Sequence, residues 1–123
     1  LVLGSLQVDV RRYPQAQKVF EEILEDSPKN KRARYWRGLS LHKQGKYEEA
    51  VTDYETYLGF GDGEDYQIAY AHYRIGQVRE KQERWGDAVA AYKAAQKAYK
   101  KHKSSKDRLE KLEARKKKGE ISY

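Results

Sequence analysis

Lys43-Gln44-Gly45-Lys46-Tyr47-Glu48-Glu49-Ala50 reads as the tail of one helix, a glycine turn and the head of a second. Working backward from it reaches Gly38, and working forward reaches Tyr54. The same layout recurs on either side. Gly4, Gly38 and Gly76 are each followed twelve residues later by an alanine, namely Ala16, Ala50 and Ala88. Three residues before each alanine stands an aromatic (Tyr13, Tyr47, Trp85), and four residues after it stands another (Phe20, Tyr54, Tyr92). Twelve positions therefore match across three copies, spaced 34 residues and then 38. A fixed period of this size marks stacked supersecondary units.

The spacing has a direct physical meaning. A glycine in the first helix lets the second approach closely, and the alanine answers it from the other side. Aromatics seven residues apart share one helix face and fill the space between layers. A single helix pair cannot bury its own apolar face, so neighbours must stack. The pattern resembles the tetratricopeptide repeat, a helix–turn–helix unit of about 34 residues. Tyr35, Gly38, Lys43-Gln44-Gly45, Tyr47 and Ala50 carry the resemblance best, and Asp26-Ser27-Pro28-Lys29-Asn30 looks like that family's proline turn between repeats. It covers roughly residues 1–102. Three departures stand out. Arg37 occupies a position where the family usually has leucine, with Trp36 one place earlier; Glu83-Arg84 stands where the family prefers a glycine turn; and residues 59–65 form a glycine-rich loop that adds four residues.

The expected fold is all-α, an α-solenoid of antiparallel helix pairs with a C-terminal capping helix. Seven helices are predicted, over 1–10, 14–26, 30–44, 47–59, 65–82, 85–102 and 105–118. Pro14 suits the first turn of its helix. Ser104 or Ser105 is expected to cap the last helix, with Asp107 near its positive end. Leu109 and Leu112 give that helix a narrow apolar stripe, and Lys116-Lys117-Lys118-Gly119 is expected to be mobile. The organisation is repeats over 1–103 (1–30, 31–64 and 65–103), a basic capping helix over 104–118 and a tail over 119–123. The first repeat lacks its opening residues and the chain has no methionine, so a fragment of a longer protein is expected. Its truncated end offers a surface for self-association.

Composition narrows the function classes. At 38% hydrophobic and 37% charged, the chain suits a thin core built from narrow apolar stripes. No cysteine is present, which excludes disulfides and thiolate metal sites. Lacking also a signal-like opening, the chain is expected to be cytoplasmic. No apolar run approaches the roughly 18 residues that a membrane span needs. The net charge of +7 is uneven: residues 93–118 hold twelve Lys/Arg against three acidic residues, a balance of +9, so the rest of the chain carries −2.

In stacked repeats of this kind the first helix of each pair lines an inner groove. The partner-contact candidates there are Arg32, Tyr35, Leu39, His42 and Lys43 in the second repeat, and Tyr70, Tyr73, Gln77 and Lys81 in the third. Aromatic and basic side chains on one surface suit a protein or peptide partner with acidic or aromatic residues. The competing reading is that Tyr35 and Tyr73 pack between helices. One subclass of the family grips a terminal carboxylate with lysine, asparagine and arginine. Here the corresponding positions hold Leu1, Ser5, Trp36 and Tyr70, and only Arg74 matches, which argues against that clamp. The alternative function is an anion- or RNA-binding module through Lys97, Lys100, Lys101 and Lys103. With Tyr99 the one aromatic nearby, base stacking has little support. His42, His72 and His102 lie thirty residues apart without a paired ligand, so no metal or other cofactor is expected. No nucleophile motif, phosphate loop or dinucleotide fingerprint is present. The reading is a non-catalytic protein–protein interaction scaffold.

Overall fold

The computed structural model describes residues 12–123, and among them it holds six helices and no strand. They fall into two compact units, Leu1–Gly61 and Asp62–Tyr123. In the first, α1 spans Tyr13–Asp26, α2 Lys31–Lys43 and α3 Tyr47–Gly59; in the second, α4 spans Asp65–Lys81, α5 Trp85–Ala98 and α6 Lys103–Lys117. Within each unit successive helices pack on one another. The helix expected over 1–10 lies outside the described residues.

Local signals set the helix starts. Pro14 sits in the first turn of α1, where its missing N–H costs nothing. The Asn30 side chain accepts the backbone N–H of Ala33 at 3.0 Å and so caps α2. At the head of α4 the Glu64 N–H donates to Gln67 Oε1 at 3.1 Å. The two turns inside the helix pairs share one backbone geometry. Gly45 has φ +80° and Glu83, thirty-eight residues later, has φ +57°. In each turn the following N–H reaches back five residues, Lys46 to the Leu41 carbonyl at 2.9 Å and Arg84 to the Arg79 carbonyl at 2.8 Å. The departure at Glu83-Arg84 is therefore one of residue type, at a left-handed position that disfavours an L-residue by roughly 1–2 kcal/mol.

The repeated glycines and aromatics meet as pairs. A methyl carbon placed on Gly38 would touch the Tyr54 ring, and one on Gly76 would overlap the Tyr92 ring. Tyr54, Tyr92, Ala50 and Ala88 are all fully buried. Trp36 turns toward α1, packing on the cluster of Phe20, Leu24 and Ala33. In the second unit Ala88, Val89, Tyr92, Leu112 and Ile121 form the core, flanked by Tyr73, Trp85 and Leu109.

Three expectations are corrected at the C-terminal end. Helix α5 stops at Ala98 instead of 102, because Tyr99 is extended and the chain turns before α6. His102 caps α6, in place of either serine. Its Nδ1 accepts the Ser105 N–H at 3.3 Å and lies 2.8 Å from Ser105 Oγ. Ser105 is instead fully buried, and Gln96 Nε2 donates to its hydroxyl at 3.1 Å and to the His102 carbonyl at 2.6 Å. Residues 116–119 are not a loose run. Lys118 and Gly119 close the helix end with N–H bonds to the Ala114 and Lys116 carbonyls, and Gly119 (φ +77°) reverses the chain so that Ile121 enters the core.

A capping imidazole makes this joint sensitive to acid. Burial holds His102, and also His72, below the ordinary histidine value of 6.5. The folded state disfavours the charged form of both, whereas the unfolded chain takes up protons below about pH 6.5. Stability is therefore complete above that pH and falls as the pH drops through it. Protonated Nδ1 would also face the Ser105 N–H, donor against donor. Urea midpoints are expected to be lower at pH 5 than at pH 8. His102→Asn, which keeps an acceptor at the cap, should leave a shallower pH slope; a slope as steep as that of the parent chain would show that the cap is not its source.

Candidate partner-binding faces

On α2 the candidate residues divide. Arg32 and Lys43 are exposed, and Leu39 is half-buried. Tyr35 turns toward α3, with its ring 5.6 Å from that of Tyr54 and 5.4 Å from that of Tyr57. His42, expected to contact a partner, is 7% exposed, and its Nδ1 lies 3.4 Å from the Tyr54 hydroxyl. A side chain enclosed in this way does not reach a surface, so His42 is corrected to a core residue. The helix lacks a simple apolar stripe because polar groups also point inward from it. The strongest of these is Arg37, which was legible only as a missing leucine. Its Nε and Nη2 donate to the Asp53 carboxylate at 2.8 and 2.6 Å. The Asp53 side chain is 2% exposed, and Arg34 stands 3.7 Å away as a second cation. The hydrogen bond to Asp53 raises the Arg37 pKa above its ordinary value, against the effect of burial. The pair borders a cleft of about 230 Å³ with Gln17, Glu21 and Glu49.

On α4 the candidates form a continuous face. Tyr66, Tyr70, Tyr73, Gln77 and Lys81 follow at steps of four, three, four and four, which keeps them on one side of a helix. Tyr66 and Tyr70 are 50% and 41% exposed, and Lys81 is exposed. Tyr73 is half-buried, with its ring 5.8 Å from that of Tyr92 and 5.3 Å from that of His102. Gln77 Nε2 donates to the Tyr73 hydroxyl at 3.1 Å, Gln77 Oε1 accepts from Arg74 at 3.0 Å, and the Arg74 guanidinium sits 5.9 Å from the Tyr73 ring centre. Tyr70 leans edge-on against His102 with ring centres 4.6 Å apart. The face is thus pre-positioned from beneath. Tyr66 was not among the sequence candidates, although it lies one turn before Tyr70 and the helical period alone would have found it.

Glu80 corresponds to His42 one repeat earlier, and it plays the same part. Each accompanies the hydroxyl of the buried tyrosine twelve residues on. Tyr92 donates to Glu80, and burial together with that bond raises the phenol pKa well above its ordinary value. Arg108 of α6 also binds Glu80, through Nε at 2.9 Å and through Nη2. Gln77, Glu80, Lys81, Trp85 and Arg108 enclose a cleft of about 350 Å³. Arg108 and Trp85 were not candidate contacts in the sequence; Trp85 reaches Lys81 across the turn between α4 and α5, whereas Arg108 is brought there by the docking of α6 on α5, which no local pattern encodes.

The basic residues Lys97, Lys100, Lys101 and Lys103 are all exposed, and Tyr99 is 36% exposed. Further along, Lys93, Lys116 and Lys117 border an open cleft of about 750 Å³ with Glu113, Ala114 and Tyr123. The Lys116 ammonium lies 4.1 Å from the Tyr123 ring centre. Among the described residues no three His, Asp or Glu side chains gather as metal ligands, and no helix is long and apolar enough to cross a membrane.

A family model for the tetratricopeptide repeat matches residues 1–65 and 63–103. A comparison with curated proteins gave no match. The chain belongs to the tetratricopeptide-repeat family, whose repeats mediate protein–protein interactions.

Proposed function

We propose that this tetratricopeptide-repeat chain is a non-catalytic scaffold that holds a segment of a protein partner against the α4 face. The carrying observation is the exposure of Tyr66 and Tyr70, one turn apart, on a face where Tyr73, Gln77 and Arg74 are tied to one another. An exposed tyrosine offers a large, stiff, amphipathic surface that loses little entropy on binding. Tyr73 supports that surface from below, since its ring packs on Tyr92.

Capture of crosslinked partners from cells tests this reading. Tyr70→Ala is expected to lower partner recovery at least tenfold while leaving the thermal unfolding midpoint nearly unchanged. Tyr73→Ala should reduce both, because the ring belongs to the edge of the core. Undiminished capture by a doubly substituted Tyr66→Ala/Tyr70→Ala chain would sink the proposal. If the exposed lysines instead bound nucleic acid, recovery would be RNA-dependent and would fall steeply with salt.

A further inference from the structure

We infer that the cleft between α4 and α6 takes a carboxylate side chain, so that the segment held on the α4 face is acidic. The inference rests on the reading that this face binds a protein segment.

Two observations carry it. The first is the geometry of Arg108. A guanidinium has five N–H donors, and Glu80 engages two of its nitrogens, Nε and Nη2. The Nη1 edge stays available. Because Glu80 fixes the plane from behind, Arg108 is already immobilised before any ligand arrives, and a second carboxylate meets a fork whose rotamer entropy is already lost. Glu80 cannot turn outward to compete, since it also accepts the Tyr92 hydroxyl and its side chain is 14% exposed. The second observation is the charge at the mouth. Lys81 stands exposed beside Glu80, and Arg108 neutralises the one carboxylate that lines the cleft. The net lining charge is therefore +1, from Lys81 and Arg108 against Glu80. The Trp85 ring walls one side, and the Arg115 guanidinium 4.9 Å from its centre is itself paired with Glu120 at 3.5 Å, so the positive charge of the site comes from Lys81 and Arg108 alone. In such a half-enclosed site a charge-assisted, two-point bond to carboxylate is favoured over a solvated ion pair. A cleft of about 350 Å³ admits one anionic side chain. It is not a track for successive phosphates, and exposed Tyr70 and Tyr66 continue the surface along α4 for the rest of a peptide.

The test uses two fluorescein-labelled twelve-residue peptides of matched length, one alternating glutamate with alanine and tyrosine and the other with lysine in place of glutamate, together with a twelve-residue oligouridine. Binding is followed by anisotropy and by Trp85 emission in a Trp36→Phe background. The acidic peptide is expected to bind and to change Trp85 emission, and the lysine peptide is not. Lys81→Glu, at an exposed position, should weaken the acidic peptide at least tenfold with an unchanged circular dichroism melt. Arg108→Lys should weaken it as well, because an ammonium cannot serve Glu80 and the ligand with one planar fork; Lys97→Glu should not. The carboxylate assignment is overturned if both peptides bind equally, if neither binds, if Lys97→Glu matters as much as Lys81→Glu, or if oligouridine displaces the acidic peptide from the Trp85 cleft. Equal binding of both peptides that Tyr70→Ala abolishes would leave the protein-scaffold reading standing and remove only the acidic specificity.

Discussion

Replacing Gly76 with alanine is expected to destabilise the second unit by about 3 kcal/mol, at the upper end of the usual overpacking range. A Cβ on Gly76 would lie 2.5, 2.7 and 2.8 Å from Cε1, Cδ1 and Cζ of Tyr92, against a comfortable carbon–carbon separation of about 3.5–4.0 Å. The ring cannot yield. It is fully buried among Ala88, Val89 and Leu112, and its hydroxyl is tied to Glu80. Alanine is the better helix former by roughly 1 kcal/mol, which offsets only part of the clash. Gly38→Ala should cost less, about 1 kcal/mol, because its Cβ would stand 3.0 to 3.2 Å from Tyr54 and Asp53 atoms. Urea denaturation of both variants checks the ordering. A Gly76→Ala chain as stable as its parent would mean that the helices separate easily, and that the glycine is not what sets their approach.

Asp53→Ala and Arg37→Ile are each expected to cost about 3 kcal/mol when made alone, because each strands one charge of a buried pair. Made together they should cost less than about 1 kcal/mol. The reason lies in the next repeat. Ile75 and Ala91 occupy the positions thirty-eight residues after Arg37 and Asp53, and there the same helix pair closes without any charge. An apolar replacement of similar volume commonly matches a buried ion pair, whereas half of the pair is costly. Arg34, 3.7 Å from Asp53, keeps its hydrogen bond to the Pro28 carbonyl at 3.1 Å once the carboxylate is gone. A double-mutant cycle reads the result directly. Additive losses near 6 kcal/mol would show that Arg37 and Asp53 contribute separately rather than as a pair.

Much of this architecture was legible in the chain. The glycine, alanine and aromatic positions name the helix pairs, and the structure seats Gly38 and Gly76 each against the aromatic sixteen residues later. Helix starts at Tyr13, Lys31, Tyr47, Asp65 and Trp85 fall within one residue of expectation, since prolines, caps and turns are local signals. The errors share one cause. His42 and His102 are polar residues that serve as internal partners, and a hydropathy pattern treats polar residues as facing water. His42 therefore looked like a surface contact when it is a core residue beside Tyr54. His102 looked like an isolated histidine when it is the cap of α6, a task that serine would ordinarily take. The C-terminal lysines looked like a loose tail, yet the turn at Gly119 returns Ile121 to the core, a contact between residues far apart in sequence.

In the central stretch from Lys43 to Ala50, residue spacing alone establishes that two helices meet across a tight turn, that the unit repeats, and that the repeated positions belong to packing. Periodicity is sufficient for this, because close approach of helices demands small residues at fixed intervals. Tertiary structure decided which polar groups are spent inside and which are left to act outside. Arg37 is committed to Asp53, Glu80 is committed to Tyr92 and Arg108, and Tyr66, Tyr70 and Lys81 are left facing solvent. That division depends on partners twelve to twenty-eight residues away. Hydrogen bonding between such partners becomes favourable only once the helices have excluded water, so no local pattern can announce it.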